Sequence, residues 1–493
     1  MSVSSAHPEY SPRIDEWGQM AATYAGEKHV KAAGELYLPF TSGMIADGTG
    51  QNQPGRKAYD AYRKRAVYHN FVREAVQAMI GVMHHKPPVI ELPASMESLR
   101  ERATLRGESL EMLLRNINEQ QLVRGRLGLL AEPIEGQGVG KPPLIATYLA
   151  ENIRNWDEGT RTDPELRNLN LVVLDESAYE RDSVFEWQLK KRYRVLILGD
   201  PLKNEAEGAG ASYTVGLYED NSDFSPATQT EPQLGGGKKA QFIPFVFINS
   251  CDIEPSPDEP PLLGLSNLCL SIYRLEADYR QSLFMQGQDT LVTIGYNKAK
   301  NDEELRVGAG GRIDLSVGGD AKFIGVESSG LSEQREALKS DKEAAASKGG
   351  QLMDSVSRER ESGDALKIRV AARTATLNQL ALTGAYGLAQ LLKMMARWMG
   401  ANPDEVTVTP NLDFADDELA AKTIVEWMSA KTMGAPISLE TIHENLRRRE
   451  LTSLTFEEEM AKIAGEEPMA EGPGSDTNDP LNDPANDPND QGA

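Results

Sequence analysis

Apolar side chains recur at three- and four-residue steps through much of the N-terminal quarter of the chain. This spacing predicts amphipathic helices over about 12–33, 59–83 and 108–123. Lys86-Pro87-Pro88 ends the second pattern, because proline cannot continue a helix. A short apolar run, 127–131, follows the third helix and predicts a strand.

Between residues 169 and 250 the pattern changes to short apolar runs separated by Gly, Pro and acidic clusters. Runs of this kind predict a β-rich region, with exposed loops over 203–211 and 220–239. The predicted strands are 171–174, 185–198, 213–218 and 242–248.

Helical spacing returns after Pro260-Pro261 and predicts a helix of about 25 residues. Its predicted buried face consists of Leu265, Leu268, Ile272, Leu275, Tyr279 and Leu283. A glycine-rich insert follows, with predicted strands at 290–296, 312–317 and 321–327. The next helix, about 331–353, is poor in apolar residues, so we expect it to need neighbours from other subunits for stability.

A polar link, 354–364, precedes a third helix over about 365–399, which would be about 50 Å long at the usual helical rise. Gly384 and Gly387 are candidate kink sites in it. A short strand at 406–408 comes next. Two further helices, 416–433 and 438–464, are predicted to complete the ordered part.

The charge of the chain restricts what it can bind. The 493 residues contain 52 Lys and Arg against 75 Asp and Glu, a net charge of −23. Tight storage of DNA on a broad basic face is disfavoured, because such binding depends on cations that replace the counterions of the phosphates. Residues 465–493 carry acids but no Lys or Arg and repeat Asn-Asp-Pro, so we expect a disordered acidic tail.

Signals for secretion, membrane insertion and a disulfide framework are missing from the sequence. No stretch approaches the roughly 18 consecutive apolar residues of a membrane span, and residues 1–15 lack the pattern of a signal peptide. We therefore expect an intracellular protein, or one that reaches its destination by assembly. Cys251 and Cys269 have no metal-ligand spacing and are expected to be buried thiols.

Motifs of enzymes and cofactor sites are incomplete. The loop 136–142 lacks the first glycine and the Ser or Thr of a phosphate loop, and 308–311 lacks the third glycine of a dinucleotide site. His84 and His85 are adjacent, so they cannot grip one metal together and are expected to cap a helix end. The acidic run 413–418 is typical of a helix start. We expect no enzymatic activity, no cofactor, no metal site and no catalytic residue.

Two short runs contain closely spaced arginines. Arg447-Arg448-Arg449 is the densest basic run, and the sequence leaves open whether it is a solvated helix end or a phosphate contact. Arg358-Glu359-Arg360-Glu361 alternates in sign within the polar link. Taken alone, the second run indicates an exposed loop.

The order of these segments resembles that of the portal proteins of tailed bacteriophages, in the family often described only as a domain of unknown function. The resemblance spans roughly residues 10–464 and rests on that order together with degenerate motifs. The motifs are Tyr62-Arg-Lys-Arg-Ala-Val-Tyr-His-Asn70 through Lys86-Pro87-Pro88, Glu151-Asn-Ile-Arg-Asn-Trp156, and Pro260-Pro-Leu-Leu-Gly264 through Tyr273 and Asp278-Tyr279-Arg280.

The resemblance implies an α+β portal-type fold that forms rings. It assigns 1–260 to the wing, 261–287 and 330–353 to two stem helices and 288–329 to the clip between them. It further assigns 354–364 to a tunnel loop, 365–412 to the long bent helix and the wing return strand, 413–464 to the crown and 465–493 to the acidic tail.

By the same resemblance, the chain would form a homo-oligomeric ring, usually of twelve subunits, at one capsid vertex of the virion, after assembly in the host cytoplasm. The ring would conduct double-stranded DNA without sequence specificity during packaging and ejection. Its implied partners are the major capsid protein, the large terminase and a head–tail adaptor, with no membrane. The alternative is a capsid-associated scaffold or adaptor that does not conduct DNA.

Four sets of residues are implied to carry this function. The tunnel loop would present Ser355, Arg358, Glu359, Arg360 and Glu361 to DNA. The stem would present Lys339, Lys342 and Glu343 to the channel, and the clip would dock partners through Thr293, Tyr296, Arg312 and Lys322. Arg447, Arg448 and Arg449 would form a basic patch in the crown.

Overall fold

The computed structural model describes residues 2–134, 140–158, 169–199, 212–220, 222–286, 290–294, 317–324, 329–350, 363–412, 425, 427–448, 452 and 454–465. The fold mixes helices and sheets, as expected for an α+β protein. The chain divides into two compact units, Met1–Phe414 and Ala415–Ala493, which are described separately. No helix in the described ranges has both the length and the apolar character needed to cross a membrane.

The first unit contains nine named helices in its described residues, and their bounds differ from the prediction near the N-terminus. They are α1 Ile14–Ala25, α2 Glu27–Ala32, α3 Ser42–Ala46, α4 Pro54–Arg65, α5 Phe71–Met83, α6 Leu110–Arg124, α7 Leu263–Gln286, α8 Ser329–Gly350 and α9 Gly363–Met399. The single helices predicted over 12–33 and 59–83 are wrong, because each is two helices. The helix predicted over 108–123 is confirmed.

Asn70 takes part in both interruptions of the predicted helices, the one between α1 and α2 and the one between α4 and α5. Gly26 separates α1 from α2 with a φ of 102°, a conformation that glycine adopts at little cost. A side chain on Gly26 would collide with the Asn70 amide, which donates a hydrogen bond to the Tyr24 carbonyl at 3.2 Å. Asn70 also caps α5, since its side-chain oxygen accepts from the Arg73 backbone N–H at 3.1 Å. The two breaks are therefore one packed junction.

The strands of the first unit form several small antiparallel sheets. Their bounds are β1 Val89–Glu91, β2 Arg126–Glu132, β3 Leu144–Leu149, β4 Ile153–Glu158, β5 Leu169–Asp175, β6 Ala178–Arg181, β7 Trp187–Lys190, β8 Arg192–Leu198, β9 Tyr213–Glu219, β10 Gln233–Leu234, β11 Lys238–Lys239, β12 Phe245–Asn249, β13 Thr290–Ile294, β14 Asp320–Ile324 and β15 Thr407–Thr409. The two larger sheets have the orders β12-β2-β3 and β4-β5-β8-β9. The remaining pairs are β1-β15, β6-β7, β10-β11 and β13-β14.

The β-rich region begins earlier than predicted, since β3 and β4 precede residue 169. The segment predicted as one strand over 185–198 is divided into β7 and β8 at Lys191. The expected exposed loop 220–239 contains the β10–β11 hairpin and the buried Leu234, so that prediction is wrong in part. Of the loop 136–142, only residues 140–142 are described; they precede β3, which pairs antiparallel with β2.

Helix α9 packs across the three-stranded sheet and α6 through two glycines. A Cβ on Gly387 would lie 2.5 Å from Ile248 Cγ1 in β12. A Cβ on Gly384 would lie 2.5 Å from the Asn118 amide nitrogen in α6. The helix is continuous through both glycines, which were predicted as kink sites. Their role in the structure is to let two elements approach α9 closely.

The segment between β12 and α7 is held along its length by buried polar groups. The Asn249 side-chain amide donates to the carboxylate of Asp252 and to the carbonyls of Glu254 and Ser256, at 2.8–2.9 Å. The guanidinium of Arg126, which is fully buried, donates to the Pro255 carbonyl at 2.7 Å. Burial lowers the pKa of Arg126 to about 9, so this group remains charged at neutral pH. These bonds hold residues 252–256 of the segment that leads to α7.

The second unit has two named helices among its described residues, α10 Leu439–Arg448 and α11 Phe456–Gly465. The single helix predicted over 438–464 is wrong. A new helix starts at Thr455, whose N–H donates to the Glu458 carboxylate at 2.8 Å while its hydroxyl accepts from the Glu458 N–H. This reciprocal pair is a capping box, which stabilises a helix N-terminus. The ring of His443 packs edge-on against Phe456.

Candidate functional site

Helices α7 and α8 pack against each other, and the antiparallel pair β13–β14 lies between them in the chain. The buried face of α7 is rotated from the predicted one. Leu265 and Ile272 are buried as expected, but Leu283 is 44% exposed. The other buried positions of α7 are Ser266, Cys269, Leu270, Tyr273, Glu276 and Ala277. The rotation brings an acidic residue into the helix interface.

Helix α8 has only a narrow buried line among its described side chains, formed by Leu338, Ala345 and Gly349. This line packs against α7 and α5 of the same chain. The sequence suggested that α8 depends on other subunits, but part of its support comes from within the chain. Most of its other described residues are exposed.

Glu276 is the centre of an ion cluster between the two helices. Its side chain is 2% exposed. One carboxylate oxygen lies 2.7 Å from Arg280 Nε on the same helix, and the other lies 3.2 Å from Lys342 Nζ on α8. His69 Nε2, in the segment before α5, is 3.9 Å away. Glu276 therefore connects three parts of the chain.

Burial acts to raise the pKa of Glu276, but hydrogen bonds and charge from Arg280 and Lys342 outweigh it, and the pKa lies below its ordinary value. The pKa of His69 is lowered by burial and by the charge of Lys342. At neutral pH the cluster thus holds one carboxylate against two permanent cations. His69 is predominantly neutral, because its ordinary pKa is already below 7.

This cluster predicts an acid-sensitive contribution to stability. Because the pKa of Glu276 is lower in the folded chain than in the unfolded chain, its contribution is complete above the unfolded pKa of about 4.3 and is lost as the pH falls through the folded value. The difference in unfolding free energy between the wild type and Glu276→Gln should be constant from pH 6 to 8 and should shrink below about pH 4. Urea titrations at several pH values measure this difference, and a difference that does not change with pH down to pH 3 would contradict a lowered pKa of Glu276.

A groove of about 600 Å³ opens beside Glu276, between α7, α8 and the start of α5. Its charged lining residues are Glu276, Arg280, Arg335, Lys339, Lys342 and Glu343. Four bases against two acids make this surface locally positive in a chain whose net charge is −23. Exposed Lys and Arg side chains bind the phosphate groups of a nucleic acid through their charge, and this binding does not depend on the base sequence.

The predicted stem residues do lie at this groove. Lys339 and Glu343 are exposed and 3.9 Å apart, whereas Lys342 is about one third exposed and is directed to Glu276. Of the predicted clip residues, Lys322 is exposed and 3.1 Å from Asp320, and Thr293 lies in β13. Tyr296, Arg312 and the tunnel-loop residues Ser355, Arg358, Glu359, Arg360 and Glu361 lie outside the described residues, as do the acidic run 413–418 and the tail 466–493.

The predicted crown patch is only partly described. Arg447 is exposed and Arg448 lies in α10, while Arg449 is outside the described residues.

Other candidate residues have mixed outcomes. His84 is bonded to the Asn118 side chain at 2.9 Å, while His85 contacts the Val82 carbonyl in the last turn of α5 at 3.3 Å, the kind of contact expected of a helix cap. Cys269 is buried, but Cys251 is exposed, so the prediction of two buried thiols is wrong for Cys251. Within the described ranges, no group of three or more His, Cys, Asp or Glu side chains is placed to hold a metal ion.

Sequence reasoning missed Glu276, Arg280 and Arg335, which surround the groove. A signal for Glu276 was present, because it lies four residues after the buried Ile272 and so on the same side of α7. The pattern search counted apolar residues only. It therefore could not place a carboxylate on a buried helix face.

Comparisons with known proteins give one family match and several distant structural similarities. A family profile described as "Domain of unknown function (DUF4055)" matches residues 261–399, which contain α7, α8 and α9. No curated protein sequence matches the chain.

Three solved chains, each 14% identical in sequence, are similar to parts of this protein. One is from the "Virion of native gene transfer agent (GTA) particle", with a TM-score of 0.36 over 82% of this chain and 97% of the other. Another is from the "Neck of native GTA particle computed with C12 symmetry", with a TM-score of 0.36 over 84% of this chain and 98% of the other. The third is from the "Neck of empty GTA particle computed with C6 symmetry", with a TM-score of 0.34 over 81% of this chain and 91% of the other. Similarity at this level does not assign a fold or a function to the present chain.

Proposed function

We propose that this chain is a portal-type subunit that forms a ring at one capsid vertex and conducts double-stranded DNA during packaging and ejection. In this proposal α7 and α8 are the stem helices, the segment between them docks the large terminase and later an adaptor, and the link before α9 faces DNA. The chain itself performs no catalysis.

The paired helices are the observation that carries the proposal. Helix α8 has 22 residues, yet its described buried line consists of Leu338, Ala345 and Gly349 alone. A helix with so little apolar surface gains little from its own chain. Its exposed side, which mixes charges of both signs with Ala and Ser, suits a position where one part contacts a neighbouring copy and another borders water and DNA.

The charge distribution suits transport of DNA better than storage. Twelve copies would carry a formal charge of about −276, which would repel a duplex that carries one charge per about 1.7 Å. The groove beside Glu276 would offer brief phosphate contacts through Arg335 and Lys339 within that repulsive surrounding. Weak attraction inside a repulsive bore keeps DNA free to slide.

Electron microscopy of the purified full-length protein tests the proposal. We expect rings with an open bore wide enough to admit a DNA duplex. A closed ring, or a subunit that remains monomeric at micromolar concentration, would instead support a capsid-associated scaffold or adaptor that does not conduct DNA. ATP turnover, measured on the same sample, should be absent, and hydrolysis that follows the protein through purification would contradict a passive conduit.

A further inference from the structure

Helix α4 is strongly basic in a strongly acidic chain. Its twelve residues include five bases and one acid, a net charge of +4, whereas the rest of the chain carries −27. The helix buries Tyr59 and Tyr62 against its own chain, so the bases lie around the opposite side. Clustering of Lys and Arg along a helix is the electrostatic signature of a surface that binds polyanions.

The outward side of α4 presents two lysines that have no acidic partner. Lys57 and Lys64 are exposed, and neither pairs with a carboxylate among the described residues. They are nearly two helical turns apart, so they point in the same direction at about 10 Å along the axis. The one acid of the helix, Asp60, lies instead 3.3 Å from Arg63 and 3.9 Å from Arg56. Both lysines are therefore available to an external anion.

Arg65 connects α4 to the groove beside Glu276. Its guanidinium lies over the Phe284 ring of α7, 4.1 Å from the ring centre, and is bonded to the Gln281 side chain. Phe284 comes four residues after Arg280, so the two lie on one side of α7, and Arg280 lines the groove. The basic side chains thus follow one another across three helices. We call this set the basic band: Lys57, Lys64, Arg65, Arg280, Arg335 and Lys339.

The side chains of α4 favour nucleic acid over a protein as the partner of the band. No large apolar side chain of this helix is exposed, and the positions between its two outward lysines are short or charged. Protein–protein interfaces have an apolar and aromatic centre and are depleted of Lys. Protein–DNA interfaces are more polar and much more positively charged. The phosphates of DNA are therefore the ligand that fits this surface.

We propose that the basic band binds the phosphate backbone of double-stranded DNA, with Lys57 and Lys64 as its contacts outside the groove. The inference rests on the proposed conduit for the identity of the polyanion, and it extends the contact surface from the groove to α4. Contacts of this kind go to phosphates and do not read the base sequence. Because the rest of the chain repels DNA, the contacts are brief and weaken as salt is added.

The double variant Lys57→Gln/Lys64→Gln of the full-length protein tests the band. Fluorescence anisotropy with a labelled short duplex should show at least a fivefold rise in Kd at about 50 mM salt, and the slope of log K against log salt should fall by about two. Lys190→Gln/Lys191→Gln is the matched control, because it removes two positive charges from side chains that are 43% and 55% exposed outside the band. Its Kd should change less than twofold. Far-UV circular dichroism should be unchanged in both variants, since all four residues are exposed.

Lysine acetylation followed by mass spectrometry provides a second measurement, on the wild-type protein. An ammonium group that contacts a phosphate reacts more slowly with the acetylating reagent. With saturating duplex we expect Lys57 and Lys64 to be acetylated at least twofold more slowly than without it. The rates of Lys190 and Lys191 should be the same in both samples.

Each outcome decides the question. Weaker DNA binding in the α4 variant alone, with Lys57 and Lys64 protected in the wild type, supports the band. A wild type that binds no duplex, lysines that DNA leaves unprotected, or equal losses in both variants would overturn it. An α4 variant that binds DNA normally but no longer assembles would also overturn it, in favour of an acidic surface on a neighbouring copy. In all of these cases an open ring in the electron microscope would still support the conduit.

Discussion

Replacing Glu276 by Gln is expected to lower the free energy of unfolding by about 2 kcal/mol, which is less than the roughly 3–5 kcal/mol typical of breaking a fully buried ion pair. The substitution keeps the shape of the side chain but leaves Arg280 and Lys342 without their shared carboxylate. The loss is moderated because these two cations are 44% and 31% exposed and retain contact with water. Urea unfolding followed by far-UV circular dichroism measures it, at one protein concentration because assembly adds stability.

Glu343→Gln is the matched control for this prediction. Glu343 is 69% exposed and lies 3.9 Å from Lys339, so its ion pair is solvated and worth well under about 1 kcal/mol. Both variants remove one negative charge from the same groove. If Glu276→Gln and Glu343→Gln lowered the free energy of unfolding equally, burial of the Glu276 ion pairs would have no energetic consequence.

Replacing Gly387 by Ala is expected to destabilise the protein by about 1–3 kcal/mol, the usual cost of adding a group to a filled core. The new methyl group would lie 2.5–2.6 Å from two side-chain carbons of Ile248, which is fully buried in β12. Helix α9 would then have to separate from the three-stranded sheet. The shift of the urea midpoint relative to the wild type measures the effect.

Gly18→Ala should have the opposite sign. Gly18 also lies within a helix, α1, but no atom lies within 4 Å of the position that its Cβ would occupy. Alanine in an unobstructed helix interior is more stable than glycine by about 0.5–1 kcal/mol. If both substitutions stabilised the chain, the close contact between α9 and β12 would be disproved.

The long central helices were predictable from sequence, because their signals are local. Pro260-Pro261 precedes α7, and apolar spacing runs through α7 and α9. The breaks near Gly26 and Asn70 were not predictable, because they depend on a contact between residues 44 positions apart. Periodicity detects which residues could lie on one face of a helix, but it does not detect a helix break that a distant side chain stabilises.

The residues of the candidate site were predicted only in part, because the position of a side chain on a buried helix face also depends on contacts with other elements. The resemblance implied that Lys339, Lys342 and Glu343 face a channel, and all three line the groove beside Glu276. The buried pairing of Lys342 with Glu276 depends on how far α7 is rotated about its axis, and that rotation is set by packing against α5 and α8.

The hydrogen bonds that hold residues 249–256 have a mechanical consequence. Asn249 and Arg126 hold four positions of this segment through buried hydrogen bonds. A bend within residues 249–256 would have to break these bonds, so a movement of α7 relative to the three-stranded sheet would have to pivot outside this segment.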